Sequence, residues 1–444
     1  MGKLCDSIFS GITPKSGGDA YTQEENGVLF IKSGCLSYNS EIKFDEASKI
    51  KPEIHNGIMK SSKLKKNDVL VAIVGATIGK IGIFKSEREA NINQAIAAIR
   101  LKENSNILPE FLVAYLLSNI GQTYLEYLKR PVARANINLQ EIASIDIPLL
   151  TSNEQLKFIE IFNNSMMKYT LGLRKADELR NTIPDIMADL LDVCLIDTNK
   201  EVCNAIKFLE IKKTSTNRID PKCFSTKYKN LRESIKSSRF KKYKLSDLII
   251  GKLMGGEWGK EPDLVYESYQ KCLVLRATEI GNKDNLNIRE DKAQFRSVPS
   301  KKLQSLDIEL GDIIIEKSGG SIDQPVGRVV FVDRLEYEGF PICYSNFLAK
   351  IKVNKELVDP YYLFEYLRFI YKIGLTEVMQ NQTNGIRNLI TEEYLNQIII
   401  VPENNKKIGE KIMQIRKEAI DMENQAERDW QQARKQFEKE LLGE

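Results

Sequence analysis

Histidine is almost missing from this chain of 444 residues, with His55 the only one. Catalysis by a Ser-His-Asp or Cys-His arrangement would have to run through it. His55 sits in a loop-like KPEIHNG context with no counterpart later in the chain, which predicts a surface residue. A structural zinc site is equally hard to assemble from one histidine and seven scattered cysteines without a CxxC pair. Cysteines that are odd in number and far apart argue for reduced thiols in a cytoplasmic protein and against a disulfide framework. No apolar run approaches the roughly 20 residues that cross a bilayer. The opening MGKLCDSIFSG lacks a signal peptide's apolar stretch. The chain is therefore expected to be cytoplasmic, with no membrane partner.

Other enzyme signatures fail on physical requirements. A methyltransferase acting on base amino groups would show an Asn/Asp-Pro-Pro-aromatic motif and a glycine-rich cofactor loop; there is no Pro-Pro and no GxGxxG. The string GATIGK, Gly75 to Lys80, lacks one residue between its glycines to be a phosphate loop. Ile81 also stands where a magnesium-binding Ser or Thr is needed. Pro184-Asp185 with Glu210-Ile211-Lys212 has the spacing of a metal-dependent nuclease, but Asp185 falls in a helical run where a strand is required. No catalytic residue and no metal ligand is assigned.

What is present is a repeat. IKSGCL from Ile31 returns as LRATEI from Leu275, and LKKNDVLV from Leu64 as IELGDIII from Ile308, Asp68 falling on Asp312. NQAIAAIRL from Asn93 matches SNFLAKIKV from Ser345, and LPEFLVAYLL from Leu108 matches VDPYYLFEYL from Val358. Each half is expected to end in a short apolar strand closed by proline, IDIP and IIIVP, and each then runs into a long polar-apolar helix. An offset of this length means a duplicated domain, since solenoid units repeat every 20–50 residues or so. Composition agrees: 42% hydrophobic and 28% charged residues suit two or three packed domains.

Strands are expected at VLFIKS, DVLVAIVG, KIGIFK and AIAAIRL, with a helix from Pro109 to about Leu128. From Asn153 to Leu191 apolar residues recur at threes and fours: Leu156, Ile159, Phe162, Met166, Tyr169, Leu173, Ala176, Leu179 and Ile183. Pro184 should kink or divide that element. Ile408, Ile412, Ile415, Ala419, Met422, Ala426, Trp430, Ala433 and Phe437 form a second stripe near the end. Two polar helices of such length, each with one apolar seam, predict an antiparallel coiled coil between the copies. Ile159, Phe162, Met166, Ile412, Ile415 and Met422 are its expected buried seam. The expected fold is α+β: tandem homologous domains over 1–150 and 244–403, related by a pseudo-twofold. Spacer helices over 151–205, a basic linker over 206–243 and a C-terminal helix over 404–444 complete it. The net charge is only +4, yet Lys207 to Lys244 holds 13 basic against 3 acidic residues, leaving the rest net acidic. That window reads either as a solvated linker or as a phosphate-facing seam, and its interleaved Phe224, Tyr228, Phe240 and Tyr243 suggest partial packing.

The ordered set Gly11-Ile-Thr13-Pro14, VLFIKSGCL, KNDVLVAIVGATIGKIGIF, NQAIAAIRL, PEFLVAYLL and IDIPLLTSNEQLKFIEIF resembles the specificity subunits of type I restriction-modification systems. The second copy departs from it, opening GKLMGGEWGKEPD without Thr-Pro and carrying Asn404-Asn405 for Glu154-Gln155. The resemblance implies a subunit without catalysis of its own. Two target-recognition domains would each read half of a bipartite, asymmetric site on double-stranded DNA. The helices would dock two methyltransferase subunits, which bind S-adenosylmethionine and flip an adenine. It leaves open whether two restriction/translocase subunits join. Two alternatives stand beside it: the recognition part of a combined restriction-methylation enzyme, and a duplicated coiled-coil protein unrelated to nucleic acid.

Base reading needs hydrogen-bonding side chains on loops held by a rigid sheet, and phosphate contact needs cations. In the first copy the DNA-binding candidates are Lys32 and Ser33, Thr77 and Lys80, and Arg130, Arg134 and Asn136 in KRPVARANIN. In the second they are Arg276 and Thr278, Lys317 and Ser318, and Gln382, Thr383, Asn384, Arg387 and Asn388 in QNQTNGIRN. Asn, Thr and Gly also build turns for purely structural reasons.

Overall fold

A computed structural model describes all residues except 16–17, 131–134, 196–219, 263–266, 282, 284, 289–292, 322–323, 384 and 444. Glu210 to Lys212, half of the nuclease-like spacing, lie outside the described residues. The chain divides into two compact units: Met1–Arg174 with Met422–Glu444, and Lys175–Asp421.

In the first unit the strands are β1 (Cys5–Ser10), β2 (Val28–Ile31), β3 (Ser48–Ile50), β4 (Asp68–Ala72), β5 (Ile81–Phe84), β6 (Ala90–Ile92) and β7 (Ile96–Leu101). They form an antiparallel sheet in the order β1-β7-β4-β5 and a smaller sheet β3-β2-β6, in which β2 runs parallel to β6. β4 is buried along its whole length because both faces are covered. Val69 and Val71 point into a core with Phe111 and Tyr115, whereas Leu70 and Ala72 point into one with Leu29 and Ile31. A run of apolar residues without alternation is the expected signature of such a strand.

The second unit contains β8 (Lys241–Lys244), β9 (Met254–Gly255), β10 (Tyr269–Leu275), β11 (Phe295–Pro299), β12 (Ile313–Glu316), β13 (Ser318–Gly320) and β14 (Val329–Phe331). It continues with β15 (Glu336–Tyr337), β16 (Phe340–Tyr344), β17 (Leu348–Ile351), β18 (Gln380–Thr383), β19 (Ile386–Leu389) and β20 (Ile398–Val401). Its sheet β9-β17-β12-β14 reproduces β1-β7-β4-β5 strand for strand, again antiparallel throughout. β11-β10-β16 likewise reproduces β3-β2-β6, including the one parallel pairing. The duplication is thus one of topology as well as sequence.

Small devices repeat with it. Asp68 accepts the Lys65 N–H at 2.7 Å, and Asp312 accepts the Glu309 N–H at 2.9 Å. Before each aspartate the backbone is left-handed, at Asn67 (φ 71°) and Gly311 (φ 91°), a region open mainly to Gly and Asn. The long helices are tied in alike. Gln155 accepts the Leu108 N–H at 2.8 Å, and Asn405 accepts the Asp359 N–H at 2.9 Å. Each of those N–H groups precedes the proline that opens a helix, Pro109–Leu117 (α2) or Pro360–Lys372. The replacement of Glu-Gln by Asn-Asn therefore keeps the anchor.

Several expectations are corrected. The helix from Pro109 breaks at Ser118 into α2 and Asn119–Leu128, because Ser118 is extended and its Oγ accepts the Gly121 N–H at 3.2 Å. The IDIP segment forms no strand. Its counterpart β20 pairs with β8, but the residues beside Ile145 are Met1, whose amino group donates to the Ile145 carbonyl, and a 3-10 turn, Gly2–Leu4. His55 is buried within a one-turn helix, Pro52–Asn56, its Nδ1 2.5 Å from Asn91 Oδ1. The division expected at Pro184 is present: the first long helix runs Ser152–Asn181 and Pro184 opens a new one, Ile183–Leu191. On the stripes, Leu156 (55% exposed) and Met422 (42%) face solvent. Phe158, not Leu156, carries the burial at that end of the seam.

Within the first unit the seam closes between these helices. Phe158 meets Phe437 at 5.0 Å between ring centres, Phe162 meets Trp430 at 5.2 Å, and Tyr169 stacks on Trp430 at 5.9 Å. Gly172 faces Ala426. One set of numbers rises as the other falls, so Ser152–Asn181 and Asn405–Leu442 pack antiparallel there. In the second unit, the helix Thr226–Ser237 from the basic window packs Tyr228, Leu231 and Ile235 into the core and leaves Lys229 and Lys236 exposed.

Candidate nucleic-acid interface

In the first unit the glycine turn Gly75–Lys80 joins β4 to β5 with Gly75 (φ 68°) and Gly79 (φ 86°) left-handed. The late loop lies against it: Gly75 N–H donates to Ala135 O at 2.8 Å and Ile137 N–H to Ile73 O at 2.9 Å, with Val74 bridging Asn136. On its other side Ser37 bridges Ile81, and Tyr38 Oη donates to Ile78 O at 3.1 Å. Lys80 holds its Nζ 5.9 Å from the Tyr38 ring centre. Gln122 braces the turn, its Nε2 donating to Gly79 O at 3.0 Å. Three separate stretches of sequence thus meet at one turn, presenting Lys80, Asn136 and Tyr38.

The remaining first-copy candidates are placed differently. Lys32 sets its amine over the rings of Tyr21 and Phe30, and Ser33 opens the adjoining 3-10 turn. Thr77 Oγ1 donates to Val74 O at 2.9 Å, inside its own turn. Arg130 pairs with Glu141 at 2.7 Å. That carboxyl is held below the usual range first by the Asn138 N–H and then by Arg130. Arg134 lies outside the described residues.

In the second unit QNQTNGIRN is a β-hairpin where a loop was expected. β18 pairs with β19, with Thr383 opposite Ile386, and Gly385 (φ 80°) lies between them. Glycine suits such a left-handed position between strands; the polar run hid the hairpin because no apolar alternation marks the strands. β13 adds to its edge in the order β13-β19-β18. Ser318 thereby faces Asn388, with Oγ to Oδ1 at 2.5 Å, and Arg387 lies opposite both Gly320 and Gln382. The sheet brings together Lys317, Ser318, Gln382, Arg387 and Asn388, with Thr383 in β18 through its backbone; Asn384 lies outside the described residues. Exposed Phe347 and Ile386 adjoin the polar groups, Phe347 through its carbonyl to the Lys317 and Ser318 N–H groups.

Arg276 and Thr278 belong to another arrangement. Arg276 binds the buried Glu279 carboxylate at 2.5 Å, and Thr278 Oγ1 donates to it at 2.8 Å. Arg328 clamps the same turn by donating to Ala277 O and Ile280 O while pairing with buried Glu316 at 2.9 Å. Sequence reasoning missed Glu279, Arg328, Tyr38 and Phe347, because nothing local marks a buried ion pair or an aromatic left outside.

These surfaces offer amides, hydroxyls, guanidinium groups and exposed rings, the groups that bind base edges and phosphates. Among the described residues, no cluster of three His, Cys, Asp or Glu side chains could hold a metal ion. Residues 8–176 match the type I restriction modification DNA specificity domain. The first unit thus carries a region similar to this domain. The family model stops at the first copy, and the second shares its strand order. The chain is 38% identical over 135 residues to the EcoBI specificity subunit of Escherichia coli, covering 30% of this chain and 28% of that protein. It is 24% identical over 306 residues to the putative MjaX specificity subunit of Methanocaldococcus jannaschii, covering 66% of this chain and 58% of that protein. The matches thus span less than two thirds of either relative's length. A solved structure described as the basis of complex assembly and conformational transition of a type I R-M system aligns over 99% of this chain and 95% of its own. That alignment has a TM-score of 0.48 at 12% identity.

Proposed function

We propose that the chain is the non-catalytic DNA-recognition subunit of a type I restriction-modification complex, in which each unit reads one half of a bipartite, asymmetric site. The observation that carries this reading is one strand order used twice beneath two different polar surfaces. A glycine turn flanked by loops serves the first copy and a polar β-hairpin the second. Identical scaffolds with unlike loops are what two different half-sites require. Exposed Leu149, Leu156, Met167 and Leu171, on or beside the Ser152–Asn181 helix, suit docking of a methyltransferase subunit. Two such subunits would carry the S-adenosylmethionine, and a cytoplasmic location goes with this work. No helix among the described residues is long and apolar enough to cross a membrane.

The test is the methylated-base map of a host expressing the chain with its methyltransferase. A gapped, asymmetric motif is expected. Arg387→Ala should weaken cognate binding by about 1–3 kcal/mol, the worth of a good base contact, and should relax one half of the motif only. Equal loss on random DNA would make Arg387 a phosphate contact. A methylation pattern independent of this chain would overturn the reading.

A further inference from the structure

The stretch from Lys222 to Lys244 in the second unit holds nine basic residues and one acidic, Glu233, in a chain of net charge +4. Its apolar side chains are spent on the core. Tyr228, Leu231 and Ile235 of the helix Thr226–Ser237 are buried there, with Phe240 and Tyr243 packed beside them. No large apolar side chain of this stretch is exposed. The cations divide into two sets. Lys222 pairs with Glu377 at 2.5 Å, Arg232 donates to the Cys223 carbonyl at 2.9 Å, and Lys242 donates to the Ser238 and Phe240 carbonyls. Lys229, Lys236, Arg239, Lys241 and Lys244 are exposed, and none of these five makes an ion pair among the described residues. Glu233 falls between Lys229 and Lys236 on the helix, so the unopposed charge concentrates at Arg239 and along β8. The stretch is also tied to the root of the polar hairpin. Tyr228 Oη donates to Glu377 at 3.2 Å and Cys223 Sγ to the Val378 carbonyl at 3.4 Å, just ahead of β18. The helix has 12 residues and so runs about 18 Å, well within one duplex turn of about 34 Å.

We infer that this surface grips the sugar-phosphate backbone of duplex DNA beside the half-site read by the second unit, and does so without reading sequence. The inference rests on the recognition function proposed above and gives a role to a segment that function leaves unused. An acidic protein surface would match the same charge. Protein interfaces, however, are depleted in lysine and anchored on aromatic or apolar side chains, and here those side chains are turned into the core. Phosphate contact asks for cations alone, each releasing counterions condensed on the duplex. Such contacts fix register and orientation, which a hairpin that reads base edges needs from a neighbouring element.

The experiment measures binding of the full chain, across a range of salt, to a duplex carrying the methylated motif and to a random duplex. Arg239→Gln with Lys244→Gln should make the fall of log K with log salt shallower by about 1–2 on both duplexes, and weaken both about fivefold or more at low salt. The ratio of cognate to random affinity should stay within about twofold, because phosphate contacts carry no sequence information. Lys301→Gln with Lys355→Gln, the same charge change on exposed lysines elsewhere in this unit, should leave the slope of the parent protein. Lys236→Gln with Lys241→Gln is expected to act like the first pair and replaces it if its thermal midpoint falls. An unchanged slope in these variants, or an equal change in the control, overturns the surface. So does a loss confined to the cognate duplex, which would make these side chains base readers. An unchanged slope with weakened binding of a methyltransferase subunit gives the face to a protein instead. In each of these cases a gapped motif in the methylated-base map leaves the recognition function standing, whereas a parent protein that binds neither duplex overturns both.

Discussion

Gln155 is fully buried and satisfies three backbone groups at once: the Leu108 N–H and the carbonyls of Asn106 and Leu150. Gln155→Ala would strand all three, at about 1–3 kcal/mol for each group that water cannot reach. A fall in the urea midpoint of the first transition is expected, and an unchanged midpoint would mean that water takes over. Arg276 yields the opposite kind of prediction from Arg387. Because it neutralises buried Glu279, Arg276→Ala should lower stability by about 3–5 kcal/mol. Methylated-base mapping of any surviving folded protein should show the motif unaltered. At this scale the sequence spoke unevenly. Residue types suited to DNA contact were readable, but Arg130 and Arg276 resemble Arg387 in any list of letters. Only their carboxylate partners, Glu141 and Glu279, distinguish them.

Elements were easier to read, because strand and helix periods depend on many residues together. β2, β4, β5 and β7 fall where the apolar runs lie. The break at Ser118 was not legible, since apolar residues at helical spacing continue on both sides and one capping hydroxyl decides the matter. Helix packing in the first unit gives two predictions. Alanine for glycine usually stabilises a helix interior by about 1 kcal/mol, but a Cβ on Gly172 would come within 2.7 Å of Ala426 Cβ. Gly172→Ala should therefore lower the thermal midpoint, and a rise would show that the helices can move apart. The Tyr169 phenol is pushed up to about 12, first by burial and then by the Glu427 and Glu423 carboxylates. Its folded pKa lies above the usual tyrosine value of roughly 10, so its contribution is complete below that pH and is lost as pH rises through 12. Tyr169→Phe should flatten the fall in stability over that window relative to the parent protein.

Across the whole molecule, the repeat was visible in the letters because both copies retain apolar strands, the aspartate at each turn and the proline opening each helix. The proposed recognition surfaces were less legible for the complementary reason: they are where the copies stop resembling each other, so neither half predicts the other. Replacing Gln380–Leu389 with the matching segment of a type I specificity subunit should alter one half of the methylated motif and spare the other. Loss of both halves would mean that the units do not read independently.

The hairpin is rooted by few residues. Gln380 and Leu389 are buried at its base, whereas Asn381, Gln382 and Ile386 stand in water. Substitutions at the tip consequently sample new chemistry while the foundation beneath stays folded. On the proposed reading, a lineage would wander from one target to another by small steps, without passing through an unstable ancestor.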